Sequence, residues 1–156
     1  MLGGSKNMGF GYDVTYGGLS AKFVKEDRSI QVIGSTNYET KIKGTDKSEF
    51  DLLLDARLRM KAFQSDSFRV DRFCGFGFQM NDTHTTNVSQ TNIWLEFGVA
   101  PELFITDSLS VEIPLGFRLL MVGETGSGVD NGFTRFGTFG SGATLAGVSF
   151  NYYFGK

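Results

Sequence analysis

Hydrophobic and polar residues alternate along most of this chain, and the pattern is clearest over residues 50–63. One set of alternate positions there is apolar: Phe50, Leu52, Leu54, Ala56, Leu58, Met60 and Ala62. The positions between them carry most of the charge: Asp51, Asp55, Arg57, Arg59 and Lys61. Successive side chains of a β-strand point to opposite faces, whereas a helix would mix the two sets around its circumference. The run therefore predicts a strand with one apolar and one polar face.

The same alternation recurs between turn-forming segments and predicts eight strands within a single domain, residues 1–156. We expect these strands near 8–16, 19–25, 29–38, 50–63, 68–80, 92–105, 110–122 and 143–154. Short turns alternate with longer polar loops, among them 81–91 and 123–142. An even strand number with short turns at one end and long loops at the other is typical of transmembrane barrels. The predicted fold is all-β, an eight-stranded antiparallel up-and-down transmembrane β-barrel.

Three residues fit this pattern poorly. Arg72 lies on the apolar face of the fifth strand, where we expect either a bulge or the start of the membrane part of the strand just after it. Pro101 and Pro114 lack the backbone N–H that a sheet ladder uses, so they weaken two adjacent strands.

Composition removes several classes of function. The 156 residues carry 15 Lys and Arg against 17 Asp and Glu, and a net charge of −2 does not favour a nucleic-acid partner. The chain contains no apolar run of about 18 residues, which excludes a transmembrane helix. The single Cys74 can form neither an internal disulfide nor, alone, a metal site. We therefore expect no cofactor and no metal.

The polar face carries glycines together with charges of both signs, and this combination favours placing that face inside the barrel. The glycines are Gly9, Gly11, Gly75, Gly77, Gly98, Gly116 and Gly147. The charged residues are Asp55, Arg57, Arg59, Lys61, Glu96, Glu112 and Arg118. An eight-stranded barrel is only just wide enough for its inward side chains, so long charged residues need small neighbours and opposite charges should pair. The prediction is a lumen plugged by its own side chains, with the apolar face toward lipid. The alternative is a soluble, lipocalin-like barrel with the apolar face inside.

The end of the chain resembles the closing strand of bacterial outer-membrane barrels. Gly147, Phe150, Tyr152 and Phe154 match the glycine, the alternate hydrophobic positions and the aromatic end of that strand, although Gly155 and Lys156 follow where the family usually stops. Residues 18–23, Gly-Leu-Ser-Ala-Lys-Phe, resemble the second strand of the same family. With the eight strands, the chain is similar to the small OmpA/OmpX-type barrels of Gram-negative bacteria, also called porin-family proteins. The resemblance implies the outer membrane as location, and lipid or lipopolysaccharide and the barrel-assembly machinery as partners.

That family has varied roles, so the resemblance implies no single activity. We expect a non-enzymatic barrel with a structural role or a surface-interaction role through loops 81–91 and 123–142. The alternatives are a lipid-modifying hydrolase, a small-solute channel and a soluble lipocalin-like binder. A hydrolase would need His84 as base with a serine such as Ser89, but polar loops contain such residues by default. Residues 1–6 lack the features of a secretory signal, so we expect the native signal peptide to be absent from this chain.

Aromatic residues near the strand ends are candidates for interfacial girdles, and the alternative is that they are ordinary aromatic residues of the strands. The candidates are Tyr12, Tyr16, Tyr38, Trp94, Tyr152 and Phe154, of which Trp94 is expected to point inward. Phe133, Phe136 and Phe139 recur at every third position of loop 123–142, where they would either contact a partner or cover the barrel mouth.

Overall fold

A computed structural model describes residues 7–40, 48–83, 88–126, 129–138 and 147–154, and these residues form an antiparallel β-sheet. Its strands are β1 (Met8–Asp13), β2 (Gly18–Lys25), β3 (Arg28–Thr40), β4 (Ser48–Gln64), β5 (Phe68–Thr83), β6 (Val88–Phe104), β7 (Leu109–Glu112), β8 (Leu115–Gly126), β9 (Val129–Thr138) and β10 (Ser149–Phe154).

The sheet closes on itself. Strands β1 to β6 each pair with the next, and β10 joins β7 to β1. Strands β7 and β8 pair with successive parts of β6, so they are two halves of one barrel strand. In the same way β9 pairs with β8 and β10 pairs with β7, which makes β9 and β10 the halves of the last strand. The predicted all-β fold, a closed eight-stranded antiparallel barrel, is confirmed.

Several predicted boundaries differ from the structure. Strand β1 ends at Asp13, three residues before the predicted end, and residues 14–17 form a turn. The seventh barrel strand is interrupted at 113–114 because Pro114 has no N–H for the ladder. The predicted stretch 143–146 lies outside the described residues.

The predicted loops 81–91 and 123–142 largely continue the barrel wall. Strand β5 runs on to Thr83, β6 begins at Val88, and the β8–β9 hairpin occupies much of 123–142. Residues 132–136 are exposed on both faces of β9, so nothing there imposes an apolar and a polar side. A strand solvated on both faces lacks the alternation from which strands are recognised in a sequence.

The bulge expected at Arg72 lies instead on the neighbouring strand. The register of β4 against β5 shifts between Lys61 and Phe63, while Arg72 pairs regularly with Met60 and Val99. Arg72 thus points outward within a regular stretch of sheet, among apolar neighbours.

Burial in the barrel is the reverse of that in a water-soluble protein. Among the described residues, sixteen polar or charged side chains are buried, against seven hydrophobic ones. Twenty-eight large hydrophobic side chains of the same residues are exposed, from Leu109 at 37% to Leu19 at 73%. No helix long and apolar enough to cross a membrane occurs in the described part of the chain.

Two inward glycines show how the narrow interior is filled. A Cβ atom at Gly77 would overlap the indole ring of Trp94, and one at Gly9 would lie 2.9 Å from the ring of Tyr153. Each large ring therefore occupies the space left by a missing side chain on another strand. Such pairing of large and small residues lets an eight-stranded lumen close without an open channel.

Candidate functional site

The lumen at the end of the barrel that carries the short turns contains a buried ion network centred on Arg59 and Glu112. The Arg59 guanidinium donates from Nη1 to Glu112 Oε1 at 2.8 Å and from Nη2 to Oε2 at 2.6 Å. Lys22 Nζ lies 2.7 Å from Glu112 Oε2 and 3.4 Å from Glu102. Arg59 Nε also donates to Asp71 Oδ2 at 3.3 Å. The buried cations and carboxylates of this network thus compensate each other's charge, as burial requires.

Glu102 is held mainly by neutral donors. Ser110 Oγ donates to Glu102 Oε1 at 2.5 Å, the Tyr153 hydroxyl donates at 2.6 Å, and Asn151 Nδ2 donates at 3.3 Å. The Tyr153 hydroxyl in turn accepts from Lys22 Nζ at 2.8 Å. Because Asn151 and Tyr153 lie on β10, this acid connects the closing strand to the neighbouring strands β7 and β6 along the inner wall.

A second network, nearer the end with the long hairpins, is centred on Arg57. Its Nε lies 2.5 Å from Glu96 Oε1 and 3.2 Å from Asp55 Oδ2, and its Nη1 lies 3.5 Å from Asp13. Trp94 Nε1 donates to Asp55 Oδ1 at 3.2 Å, which fixes the indole inside the barrel. The inward orientation expected for Trp94 is what the structure has.

Tyr16 covers this second network from the β1–β2 turn. Its hydroxyl donates to Glu96 Oε2 at 2.5 Å and accepts a hydrogen bond from Arg118 Nη2. Its ring stacks on Trp94 with centroids 5.8 Å apart, and the Arg57 guanidinium lies 5.2 Å from the Tyr16 centroid. The prediction that Tyr16 belongs to an interfacial girdle is therefore wrong, because the turn after Asp13 directs its side chain over the lumen.

Lys61 lies outside the buried networks, unlike the other six residues predicted for the lumen. Its Nζ pairs with Asp27 Oδ1 at 2.5 Å in the β2–β3 turn, and its side chain is 30% exposed. The hydrogen bond from Lys61 lowers the pKa of the Asp27 carboxyl below its usual value. Lys61 lies near the end of β4, beyond the level of the buried networks. Its side chain therefore reaches the β2–β3 turn at the end of the barrel.

The outer face of the closing strand matches the alternation expected for it. Phe150, Tyr152 and Phe154 point outward and are exposed, and Phe154 stacks on Phe10 of β1 with centroids 5.4 Å apart. Gly147 precedes β10 and is buried, and its N–H donates to the carbonyl of Pro114 at 3.0 Å. A Cβ at this position would overlap the Thr15 hydroxyl, so the close approach requires glycine.

The aromatic candidates divide between the two faces. Tyr12, Tyr38, Tyr152 and Phe154 are exposed on the outside, and so is Phe136, which pairs with Leu119 on β8. Phe133 is also exposed, but it lies on the other face of β9, paired with the buried Val122. Phe136 stacks on Phe117 with centroids 5.6 Å apart, so it continues the outer apolar surface. Phe139 lies outside the described residues.

The structure gives no geometry for the hydrolase alternative. His84 lies outside the described residues, and Ser89 is a strand residue of β6 opposite Asp82. Within the described part of the chain, no group of three or more His, Cys, Asp or Glu side chains could hold a metal ion. Glu96 and Glu112 are both engaged with arginines, and Glu102 is engaged as described above.

Sequence reasoning missed several members of the networks, although the signal for most of them was present. Asp13, Lys22 and Asp71 all fall on the inward positions of the alternation. The same alternation, applied to all eight strands, predicts that these residues point into the lumen. Tyr16 is different, because it lies in a turn and carries no alternation signal.

No protein-family model, curated protein or solved structure matches the chain. Its relation to the OmpA/OmpX-type barrels therefore stays a prediction from residues 147–154 and from the strand pattern.

Proposed function

We propose that this chain is a barrel of the bacterial outer membrane, of the OmpA/OmpX type, with a non-enzymatic structural or surface-interaction role. The observation that carries the proposal is the inverted polarity of the barrel: ion pairs are buried inside, and large hydrophobic side chains cover the outside. Monomeric soluble proteins rarely expose contiguous apolar patches larger than a few hundred Å². Lipid acyl chains would remove that surface from water.

The dimensions of the apolar surface support this location. Its outward positions run from Phe50 to Met60 on β4 and from Ile93 to Leu103 on β6, eleven residues in each case. A tilted strand needs about 9–11 residues to cross a bilayer core. Closure of the sheet also satisfies the backbone hydrogen bonds, which lipid cannot do.

The filled lumen supports a structural role over transport. Arg57, Glu96, Tyr16 and Trp94 occupy its cross-section in contact with one another. At the same end, the β8–β9 hairpin extends the wall and presents Phe133 and Phe136. This hairpin and the 81–91 region are the surfaces that we assign to contact with lipopolysaccharide or a surface partner, and β10 is the strand that we assign to the assembly machinery.

Heat-modifiability tests the proposal. The chain is refolded into detergent micelles and run on SDS gels with and without boiling, with circular dichroism as the measure of β-structure. We expect a folded band that shifts only on boiling. A protein that is monomeric and folded in plain buffer, without a shift, would contradict the proposal.

A substitution on the outer face sharpens this test. Leu95 is 48% exposed and lies near the middle of β6, within the apolar surface. Leu95→Arg should prevent refolding into lipid vesicles or cost about 2–4 kcal/mol, as arginine does near the bilayer midplane. Gln64→Arg, in the exposed end of β4, is the matched control and should refold normally. If Leu95→Arg is as harmless as Gln64→Arg, the outer face contacts water.

A further inference from the structure

Arg72 is a cation within the apolar outer face. It lies on β5, with Met60 and Val99 directly across on the neighbouring strands and Val70 and Cys74 two positions away on its own strand. Its side chain is exposed. In the part of the chain that the structure describes, it has no hydrogen-bond or ion-pair partner. An arginine among apolar neighbours at a lipid-facing position calls for an anion from outside the chain.

The depth of Arg72 suits a lipid headgroup. It follows the first residue of β5 by four positions, about 13 Å along the strand at 3.3 Å per residue. With the usual tilt of barrel strands, this is about 10 Å along the membrane normal. A long arginine side chain can keep its stem on the apolar surface while its guanidinium extends toward the interface. The guanidinium can therefore reach the headgroups of the leaflet at the short-turn end.

A groove adjoins Arg72 on the outer wall. Its volume is about 580 Å³. It is lined by the side chains of Arg72, Phe97, Val99, Leu115 and Phe117 and by the residues that lie between or beside them on the same strands. Gly98 of β6 pairs with Gly116 of β8 at this level. The lining offers apolar side chains beside one guanidinium, which matches an acyl chain attached to a phosphate.

We propose that Arg72 and this groove form a binding site for one glycerophospholipid. The guanidinium binds the headgroup phosphate, and one acyl chain lies in the groove between the Val99 and Leu115 side chains. Guanidinium–phosphate hydrogen bonds are charge-assisted and frequently bidentate, so the contact is selective as well as attractive. The inference rests on the proposed membrane location, because only there does a lipid meet this face.

A neighbouring groove provides an internal comparison. It has a volume of about 570 Å³ and is lined by apolar residues that include Ile30, Leu58, Phe76 and Leu95. The one arginine in its lining, Arg57, points into the lumen and is buried. This groove should accept acyl chains without retaining a particular headgroup.

Native mass spectrometry of the refolded chain, released from detergent after titration with phosphatidylglycerol, tests the site. We expect one retained lipid per chain, and Arg72→Gln should weaken retention about tenfold because a charge-assisted contact is lost. Arg72→Lys should restore part of it. Arg135→Gln, which removes an exposed cation of β9, is the control and should retain lipid as the original chain does.

The same samples distinguish failure of the inference from failure of the proposed function. If Arg72→Gln is heat-modifiable and retains phosphatidylglycerol like the original chain, Arg72 merely extends to water and the lipid site is wrong. If the original chain folds in plain buffer without detergent, the membrane location fails and the lipid site fails with it. Selective loss in Arg72→Gln, with the fold intact, supports the site.

Discussion

Removing the guanidinium of Arg59 tests whether the charged lumen stabilises the barrel. Arg59 is fully buried and donates two hydrogen bonds to Glu112, one to Gln31 at 2.6 Å and one to Asp71 at 3.3 Å. Arg59→Met keeps an apolar stem of similar length and deletes all four. The change therefore isolates the guanidinium without opening a large cavity.

The expected cost follows from what the remaining partners keep. Removing one member of a buried ion pair typically costs 3–5 kcal/mol, since its partner is left uncompensated. Here Glu112 retains Lys22 at 2.7 Å and Asp71 retains Arg69 at 2.7 Å. Neither acid is left alone, so we place Arg59→Met at the lower end, about 3 kcal/mol of unfolding free energy.

A double-mutant cycle separates the free energy of the Arg59–Glu112 ion pair from the effect of the two substitutions on packing. Glu112→Leu leaves Arg59 and Lys22 with fewer acids and should be as costly as Arg59→Met. The double variant removes both charges, and its cost should be much smaller than the sum of the two single costs.

Urea unfolding of the refolded barrel in micelles, followed by the heat-modifiable band and by circular dichroism, measures these free energies. Lys61→Met is the control, because it breaks an exposed pair and should change little. The reasoning is refuted if Arg59→Met costs less than about 1 kcal/mol, or if the double variant loses as much as the two single variants combined.

Two further predictions concern packing and pH. Gly77→Ala places a Cβ in the volume of the Trp94 indole and should cost about 1–3 kcal/mol in the same unfolding assay, with part of the loss recovered in a Trp94→Phe background. The hydrogen bond from Lys61 lowers the pKa of Asp27, so its contribution is present above the ordinary carboxyl pKa of about 4 and is lost as the pH falls through the lowered value. Asp27→Asn should therefore lower the melting temperature slightly at neutral pH and leave it unchanged in strong acid. An equal shift at both pH values would contradict that assignment.

The fold was predictable because a strand with a polar inner face and an apolar outer face must alternate polar and apolar residues. Leu54, Leu58 and Met60 face outward while Asp55, Arg57 and Arg59 face the lumen, as the period of two requires. Each strand carries this signal independently, so eight weak patterns together define the barrel.

The hairpin ends were not predictable from the same signal. Gly132, Phe133 and Arg135 belong to a strand that is exposed on both faces, where no pattern of burial is imposed. Backbone hydrogen bonds hold such a hairpin, and every residue type except proline supplies both the N–H donor and the carbonyl acceptor for them. The sequence therefore shows a loop where the structure has β9.

Particular contacts in the lumen depend on positions that alternation cannot supply. Lys61 continues the inward alternation, yet its height near the end of β4 pairs it with Asp27 of the β2–β3 turn and not with the buried charges. The turn after Asp13 carries Tyr16 over Glu96. Alternation gives the face on which a residue lies, but the height of that residue in the barrel and the partner it meets depend on register and turns.

Fluorescence quenching by brominated lipids tests most directly the proposal that the outer face of the barrel contacts lipid. Trp94 is the single tryptophan and is 1% exposed in the lumen, whereas its neighbour Leu95 is 48% exposed on the outside. In vesicles with brominated acyl chains, the original chain should be quenched weakly and a Trp94→Phe/Leu95→Trp variant strongly. Strong quenching of Trp94, or an unquenched tryptophan at position 95 in a folded barrel, would contradict a lipid-facing outer surface.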